Sequence, residues 1–178
     1  YKLEKKEGQL FATSNKTKLI YKNFKDEKIV SNERIVLDNF IVEDKISPFA
    51  WKILDEEKNI LGYKCKKAET NFRGRDYVVY FTYDIKKSDG PWKLYGLPGL
   101  ILEAYTKDDY IHFTAININF DTIENLENPF KDDKIDFKSF KDFKNEYQKT
   151  YTTLQKGKIR EDGKLVTSEI PKGNIEIY

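Results

Sequence analysis

The stretch LGYKCKKAETNFRGRDYVVYFTYDI (61–85) decides the fold. Side chains along a β-strand point alternately to its two faces. In the first half of the stretch one face carries Leu61, Tyr63 and Cys65, and the other carries Lys64 and Lys66. In the second half one face carries Tyr77, Val79, Phe81, Tyr83 and Ile85. Gly74 sits between the halves in the turn RGR (73–75), so the stretch predicts a β-hairpin.

Further strands are predicted on both sides of this hairpin. Tyr, Phe and Trp make up 15% of the chain, and such side chains favour pleated sheets. Segments with strand-like alternation or high β propensity are 17–23, 35–43, 49–54, 100–105 and 110–120. EEKN (56–59) reads as a polar turn. Residues 61–120 are therefore expected to form an antiparallel meander of three to four strands.

The spacing of aromatic and apolar residues along the sequence changes after residue 135. Aromatic and apolar residues recur at steps of three or four, at Phe137, Phe140, Phe143, Tyr147, Tyr151 and Leu154. This spacing predicts one amphipathic helix over about 136–155, which packs on a sheet. Asp136 is the expected N-cap and Gly157 the expected stop.

The predicted fold class is mainly β with one helix in the C-terminal half (α+β), built on a curved antiparallel sheet or half-barrel. The absence of repeats and linkers favours a single domain over 1–178, with a central core at about 48–120 and a tail at 158–178. In the tail, Asp162 and Gly163 indicate a turn.

The charge balance narrows the classes of partner. Thirty-two basic and 30 acidic residues leave a net charge of +2, which gives no concentrated basic surface for nucleic acid. No stretch approaches the length of apolar sequence that a transmembrane helix needs. We therefore expect neither nucleic acid nor a membrane-spanning role.

Residues suited to catalysis or metal binding are few. The chain has one histidine, His112, and one cysteine, Cys65, so the usual structural zinc sets are excluded. Cys65 lies on the apolar side of its strand and is expected to be buried and inert, and His112 is expected to be structural. No catalytic residue, metal or cofactor is predicted, although a catalytic use of Cys65 is an open alternative.

The stretch GPWKLYGLPGLIL (90–102) concentrates glycine and proline in an apolar segment. Pro98 and Gly99 suit the two central positions of a type II turn, where the glycine takes a positive φ. In one interpretation Gly90, Gly96, Pro98 and Gly99 shape a chain reversal and the leucines face inward. In the other, the stretch binds a partner through Trp92, Leu97, Pro98, Leu100 and Ile101. The inward orientation is favoured.

GLPGLILEA (96–104), preceded by GPWKLY (90–95) and by GYKC and FRGR in 62–75, resembles the GLPGLI family of Bacteroidota. The resemblance covers about residues 48–120. It implies an exported protein whose signal peptide has been removed, located in the periplasm, at the outer membrane or outside the cell. It brings no catalytic residues to this chain.

These observations lead to a functional expectation with two alternatives. The first expectation is a noncatalytic cell-envelope protein that docks a protein or peptide partner. The alternatives are a carrier of an apolar ligand, such as a lipid or lipoprotein acyl chain, in a half-barrel, and an enzyme of unrecognised type that uses Cys65. The half-barrel of periplasmic lipoprotein carriers is the architecture that the predicted sheet resembles.

Overall fold

The structure is a computed structural model that describes residues 2–6, 9–13, 19–121, 127–132 and 136–156. For 2–6, 9–13 and 154–156 only the backbone is described. The predicted tail 158–178, with its turn at Asp162 and Gly163, and the predicted helix stop at Gly157 lie outside these residues.

The hairpin of 61–85 is the centre of a five-stranded antiparallel sheet. Its strands follow the chain as a meander, in the spatial order β10-β9-β8-β7-β6. They are β6 (Lys52–Ile60), β7 (Tyr63–Phe72), β8 (Arg75–Thr82), β9 (Leu100–Thr106) and β10 (His112–Thr114). Two-residue turns at Leu61–Gly62 and Arg73–Gly74 connect the first three strands, and all four turn residues have positive φ.

A second sheet has four strands in the order β11-β5-β4-β3. Its strands are β3 (Ile20–Asn23), β4 (Lys28–Ile35), β5 (Asp38–Lys45) and β11 (Phe137–Ser139). Strand β11 pairs in parallel with β5, whereas the other pairs are antiparallel. A separate hairpin joins β1 (Lys2–Lys6) to β2 (Gln9–Thr13).

The helix α1 (Phe140–Lys156) packs on the four-stranded sheet. Ser139 caps it: the Ser139 hydroxyl accepts a hydrogen bond from the Asp142 backbone N–H at 3.1 Å and donates one to the Asp142 carboxylate at 2.6 Å. Phe143 and Tyr147 form a buried cluster with Ile35 and Val42. The aromatic residues Phe143 and Tyr147 of the helix are therefore part of the core.

The main core covers the inner face of the five-stranded sheet. Buried residues of β7, β8 and β9 pack there against the loop between β8 and β9 and against Phe49 and Trp51. Its fully buried members include Tyr77, Val79, Phe81 and Leu94. Aromatic side chains thus fill much of the space on this face.

The predicted fold class is confirmed: the described chain is mainly β, with two largely antiparallel sheets that do not close into a barrel and one helix. No helix among the described residues is long and apolar enough to cross a membrane.

Several element boundaries differ from the sequence predictions. The expected strand 35–43 is interrupted by a turn at Val36–Leu37, where Val36 has φ 53°. The expected turn at 56–59 lies inside β6, whose charged side chains pair with strand β7. The helix begins at Phe140 rather than Asp136, because 137–139 pair with β5 first. Only His112–Thr114 of the expected strand 110–120 is regular.

Candidate functional site

The glycine- and proline-rich stretch 90–102 is mostly buried against the core. Trp92, Leu97 and Ile101 are 8%, 2% and 4% exposed, Leu100 is half-buried and Pro98 is exposed. The inward orientation therefore applies to Leu97 and Ile101. Strand β3 of the four-stranded sheet also holds this loop in place. The ammonium of Lys22 on β3 donates hydrogen bonds to the carbonyls of Gly90 and Leu94 at 2.7 and 3.2 Å.

The glycines of this stretch serve different geometries. The positive φ lies at Gly96, at 93°, and not at Gly99 as a type II turn requires. Gly99 is needed for close approach instead: a Cβ there would overlap the carbonyl oxygen of Thr82 on β8. A Cβ on Gly90 would come within 2.7 Å of the Cβ of Ile101. These glycines let the loop pack closely on the strands beneath it.

Cys65 is fully buried, and burial raises the pKa of its thiol. Its Sγ lies 3.5 Å from the carbonyl oxygen of Tyr63. A thiol that is harder to ionise is a weaker nucleophile, so the structure gives Cys65 no activated environment.

The outer face of the five-stranded sheet carries a cluster of polar side chains that sequence reasoning missed. We call it the outer-face cluster, and it consists of Glu56, Lys58, Lys67, Tyr80, Glu103 and His112. Strand register explains the grouping: Lys67 lies opposite Tyr80, and Tyr80 lies opposite Glu103. The cluster therefore runs across the sheet from β6 and β7 to the edge strand β10.

Glu103 is the buried centre of this cluster, with a side chain 5% exposed. One carboxylate oxygen accepts a hydrogen bond from the Lys58 ammonium at 2.6 Å, and the other lies 2.9 Å from Nε2 of His112. Burial acts to raise the pKa of Glu103, but the hydrogen bonds from Lys58 and His112 outweigh it and hold this pKa below its usual range. Glu103 thus stays ionised and fixes two side chains.

Those two side chains remain accessible to a ligand. The side chains of Lys58 and His112 are 47% and 51% exposed. The Lys58 ammonium has three donors, so it keeps capacity beyond the bond to Glu103. The ring of Tyr105 lies beside His112, with centroids 5.3 Å apart. The arrangement presents the donors of Lys58 and the free Nδ1 of His112 next to an aromatic ring.

The other half of the cluster is centred on Tyr80. Its hydroxyl donates a hydrogen bond to Glu56, which also accepts one from the Lys67 ammonium at 2.8 Å. Burial, followed by the hydrogen bond to Glu56, raises the pKa of Tyr80 well above its usual value. Lys58 lies over the Tyr80 ring at 5.3 Å and links the two halves.

A groove of about 630 Å³ adjoins the cluster at the sheet edge, and we call it the edge groove. Polar side chains in its lining are His112, Thr114, Asn117 and Asn119. Leu100 and Ile101 from the predicted binding set also line it, whereas Trp92, Leu97 and Pro98 do not. His112 is shared by the groove and the cluster.

No group of three or more His, Cys, Asp or Glu side chains suited to a metal ion occurs within the described ranges. The exposed side chains of Lys58 and His112 can form hydrogen bonds with a hydroxyl-bearing ligand.

A single acidic residue within an apolar strand segment is the sequence feature that indicates this site. Glu103 is the one acid in the apolar strand segment LILEAY (100–105). A carboxylate in a buried strand needs a partner, because an unpaired buried charge is costly. The sequence predicts a turn at Lys58 and a structural role for His112. In the structure, strand pairing brings both side chains to Glu103.

Two crystal forms of PNGF-II have a similar fold. The structure in space group C2 superposes with a TM-score of 0.55 and that in P21 with 0.51, each at 21% sequence identity. Each match covers 78% of this chain and 26% of the PNGF-II chain, so this protein spans about a quarter of that structure. No curated protein sequence matches this chain.

One family model matches residues 23–142, and its family is the N-terminal domain of the N-glycanase peptide. This match corrects the resemblance to the GLPGLI family: the motif at 90–104 lies within the matched range, and the family that the match supports is a different one. In the structure the glycine at position 99 of this motif serves close packing.

The same match corrects the functional expectations. A noncatalytic envelope binding protein was expected, with no enzymatic role, and both predictions are wrong because the matching family is a domain of an N-glycanase. The alternatives of an apolar-ligand carrier and a Cys65 enzyme are not supported either. Since the match spans about two thirds of the sequence, the chain belongs to the family of N-glycanase N-terminal domains.

Proposed function

We propose that this chain acts in the release of N-linked glycans and that its outer-face cluster holds the glycan of the substrate. The observation that carries the proposal is the triad of Lys58, Glu103 and His112, in which a buried carboxylate fixes two exposed hydrogen-bonding side chains. The family membership supports the substrate class, since an N-glycanase acts on glycans linked to polypeptides.

The chemistry of the cluster fits a carbohydrate. Sugar hydroxyls both donate and accept hydrogen bonds, and at positions fixed by Glu103 the Lys58 ammonium offers donors and His112 offers Nδ1, the ring nitrogen that Glu103 does not engage. Holding these groups in place before binding lowers the entropic cost of ordering them. The ring of Tyr105 offers an apolar surface beside them for the C–H face of a sugar ring.

The edge groove supplies space for the polypeptide to which the glycan is joined. Its lining combines the apolar side chains of Leu100, Ile101 and Leu102 with the amides of Asn117 and Asn119. We place the polypeptide next to the glycosylation site in this groove, because His112 lies in both the groove and the cluster. N-linked glycans occur on secreted and surface proteins, so we also propose a location outside the cytoplasm.

Binding of an N-glycopeptide measured by calorimetry tests this proposal. Replacing Glu103→Gln or His112→Ala should weaken binding about tenfold or more, because each change removes a charge-assisted hydrogen bond or the group that it positions. Glu43→Gln is the matched control: Glu43 is exposed and pairs with Lys28 at 3.0 Å on the other sheet. The control should bind as the wild type does.

The same samples, followed by mass spectrometry of the glycopeptide, report glycan release directly. Equal affinity of wild type, Glu103→Gln and His112→Ala for the glycopeptide would contradict the proposal. Circular dichroism of each variant shows whether a loss of binding comes from the changed site or from unfolding of the protein.

A further inference from the structure

A second polar depression lies on the five-stranded sheet near the β7–β8 turn, and we call it the hairpin crevice. Its volume is about 260 Å³. The charged and amide side chains that line it are Lys52, Glu69, Asn71, Asp76 and Lys107, and Thr70 and Tyr77 line it as well. Strand register places these groups together, since Lys52 lies opposite Glu69 and Asn71 lies opposite Asp76.

The charges in the crevice cancel, with two lysines and two carboxylates. The Lys107 ammonium pairs with Glu69 at 2.9 Å, and the Asn71 amide donates to Asp76 at 2.8 Å. The side-chain ammonium of Lys52 makes no ion pair or hydrogen bond with any residue in the described part of the chain, and Lys52 is exposed. A neutral crevice with spare donors and acceptors favours an uncharged, hydroxyl-rich ligand over an anion or an apolar group.

The crevice is continuous with the outer-face cluster. Lys67 of the cluster lies 3.9 Å from Glu69 of the crevice, and the two side chains are on the same face of β7. Two residues along a strand span about 7 Å. A glycan held at Lys58 and His112 that extends along β7 past Lys67 therefore reaches the crevice.

We propose that the hairpin crevice binds a further sugar residue of the glycan held at the outer-face cluster. This inference rests on the proposed function. In it, the ammonium groups of Lys52 and Lys107 donate to sugar hydroxyls and the carboxylate of Asp76 accepts from one. The two sites together favour a longer glycan over a short one.

Calorimetry with two glycopeptides tests the inference, one carrying two sugars and one carrying the branched core of an N-linked glycan. The variants are Lys107→Met and Lys52→Met, and Lys28→Met is the control because Lys28 is also an exposed lysine, in a cross-strand ion pair on the other sheet. Each crevice variant should weaken binding of the branched glycopeptide about three- to tenfold, as expected for the loss of one hydrogen bond, and leave the two-sugar glycopeptide unaffected.

The outcomes separate this inference from the proposed function. If His112→Ala weakens binding of both glycopeptides while the crevice variants change neither, the inference is overturned and the proposed function stands. If the crevice variants weaken both glycopeptides equally, length selection by the crevice is also refuted. If His112→Ala has no effect on either glycopeptide, the proposed function fails.

Discussion

Replacing Gly99→Ala is expected to destabilise the protein by about 3 kcal/mol, which is at the upper end of the cost of overpacking. The added methyl group would overlap the carbonyl oxygen of Thr82 and lie 2.7 Å from its carbonyl carbon. These are backbone atoms of a central strand, so no side-chain rotation relieves the clash. Strand β9 begins at the next residue, so its pairing with β8 must shift.

Gly62→Ala is the control for this change. Gly62 has φ 85°, but a Cβ there meets nothing within 4 Å. Its expected cost is only about 1 kcal/mol, the strain of a non-glycine residue at positive φ. Urea unfolding monitored by circular dichroism measures both variants. If Gly99→Ala costs no more than Gly62→Ala, the close approach between the loop and β8 is not the reason for the glycine.

Replacing Glu33→Gln is expected to cost about 3 kcal/mol, because it removes the charge of a carboxylate that pairs with the buried Lys93 ammonium. Lys93 belongs to the loop between β8 and β9, and its side chain is 1% exposed. Its ammonium lies 3.4 Å from Glu33, and Ser31 donates a hydrogen bond to the same carboxylate at 2.9 Å. This ion pair connects the loop to the four-stranded sheet.

Glu43→Gln on the neighbouring strand provides the comparison. Its ion pair with Lys28 is exposed, so its loss should change the free energy of unfolding by no more than about 0.5 kcal/mol. Adding Lys93→Met to Glu33→Gln should restore part of the stability, since the pair is then removed as a whole. Thermal unfolding of the single and double variants measures these differences in stability. A double variant less stable than either single variant would contradict a buried charge penalty.

The fold class followed from the sequence because local patterns encode it. Alternation in 61–85 and the turn at Gly74 predicted the central hairpin, and the steps of three and four after residue 136 predicted the helix. Boundaries were harder to predict where tertiary pairing overrides local pattern. Residues 137–139 have helical spacing but pair with β5, and Val36 takes a positive φ that its side chain disfavours.

The site could not be predicted in the same way, because it depends on strand pairing. Lys58 lies 45 residues before Glu103 in the sequence, and the two meet, together with His112, only through the order and register of the meander. The composition of the glycine-rich stretch reflects close packing at two of its residues: Leu97 is buried, and Gly99 makes room for β8. Leu100 and Ile101 of the same stretch line the edge groove.

The most direct measurement of the central claim is a map of backbone amide chemical-shift changes on titration with an N-glycopeptide. Binding at the outer-face cluster predicts the largest changes at Lys58, Tyr80, Glu103 and His112, with little change along β4 and β5. Changes concentrated on the four-stranded sheet, or no change at saturating glycopeptide, would contradict the assignment of this face to glycan binding.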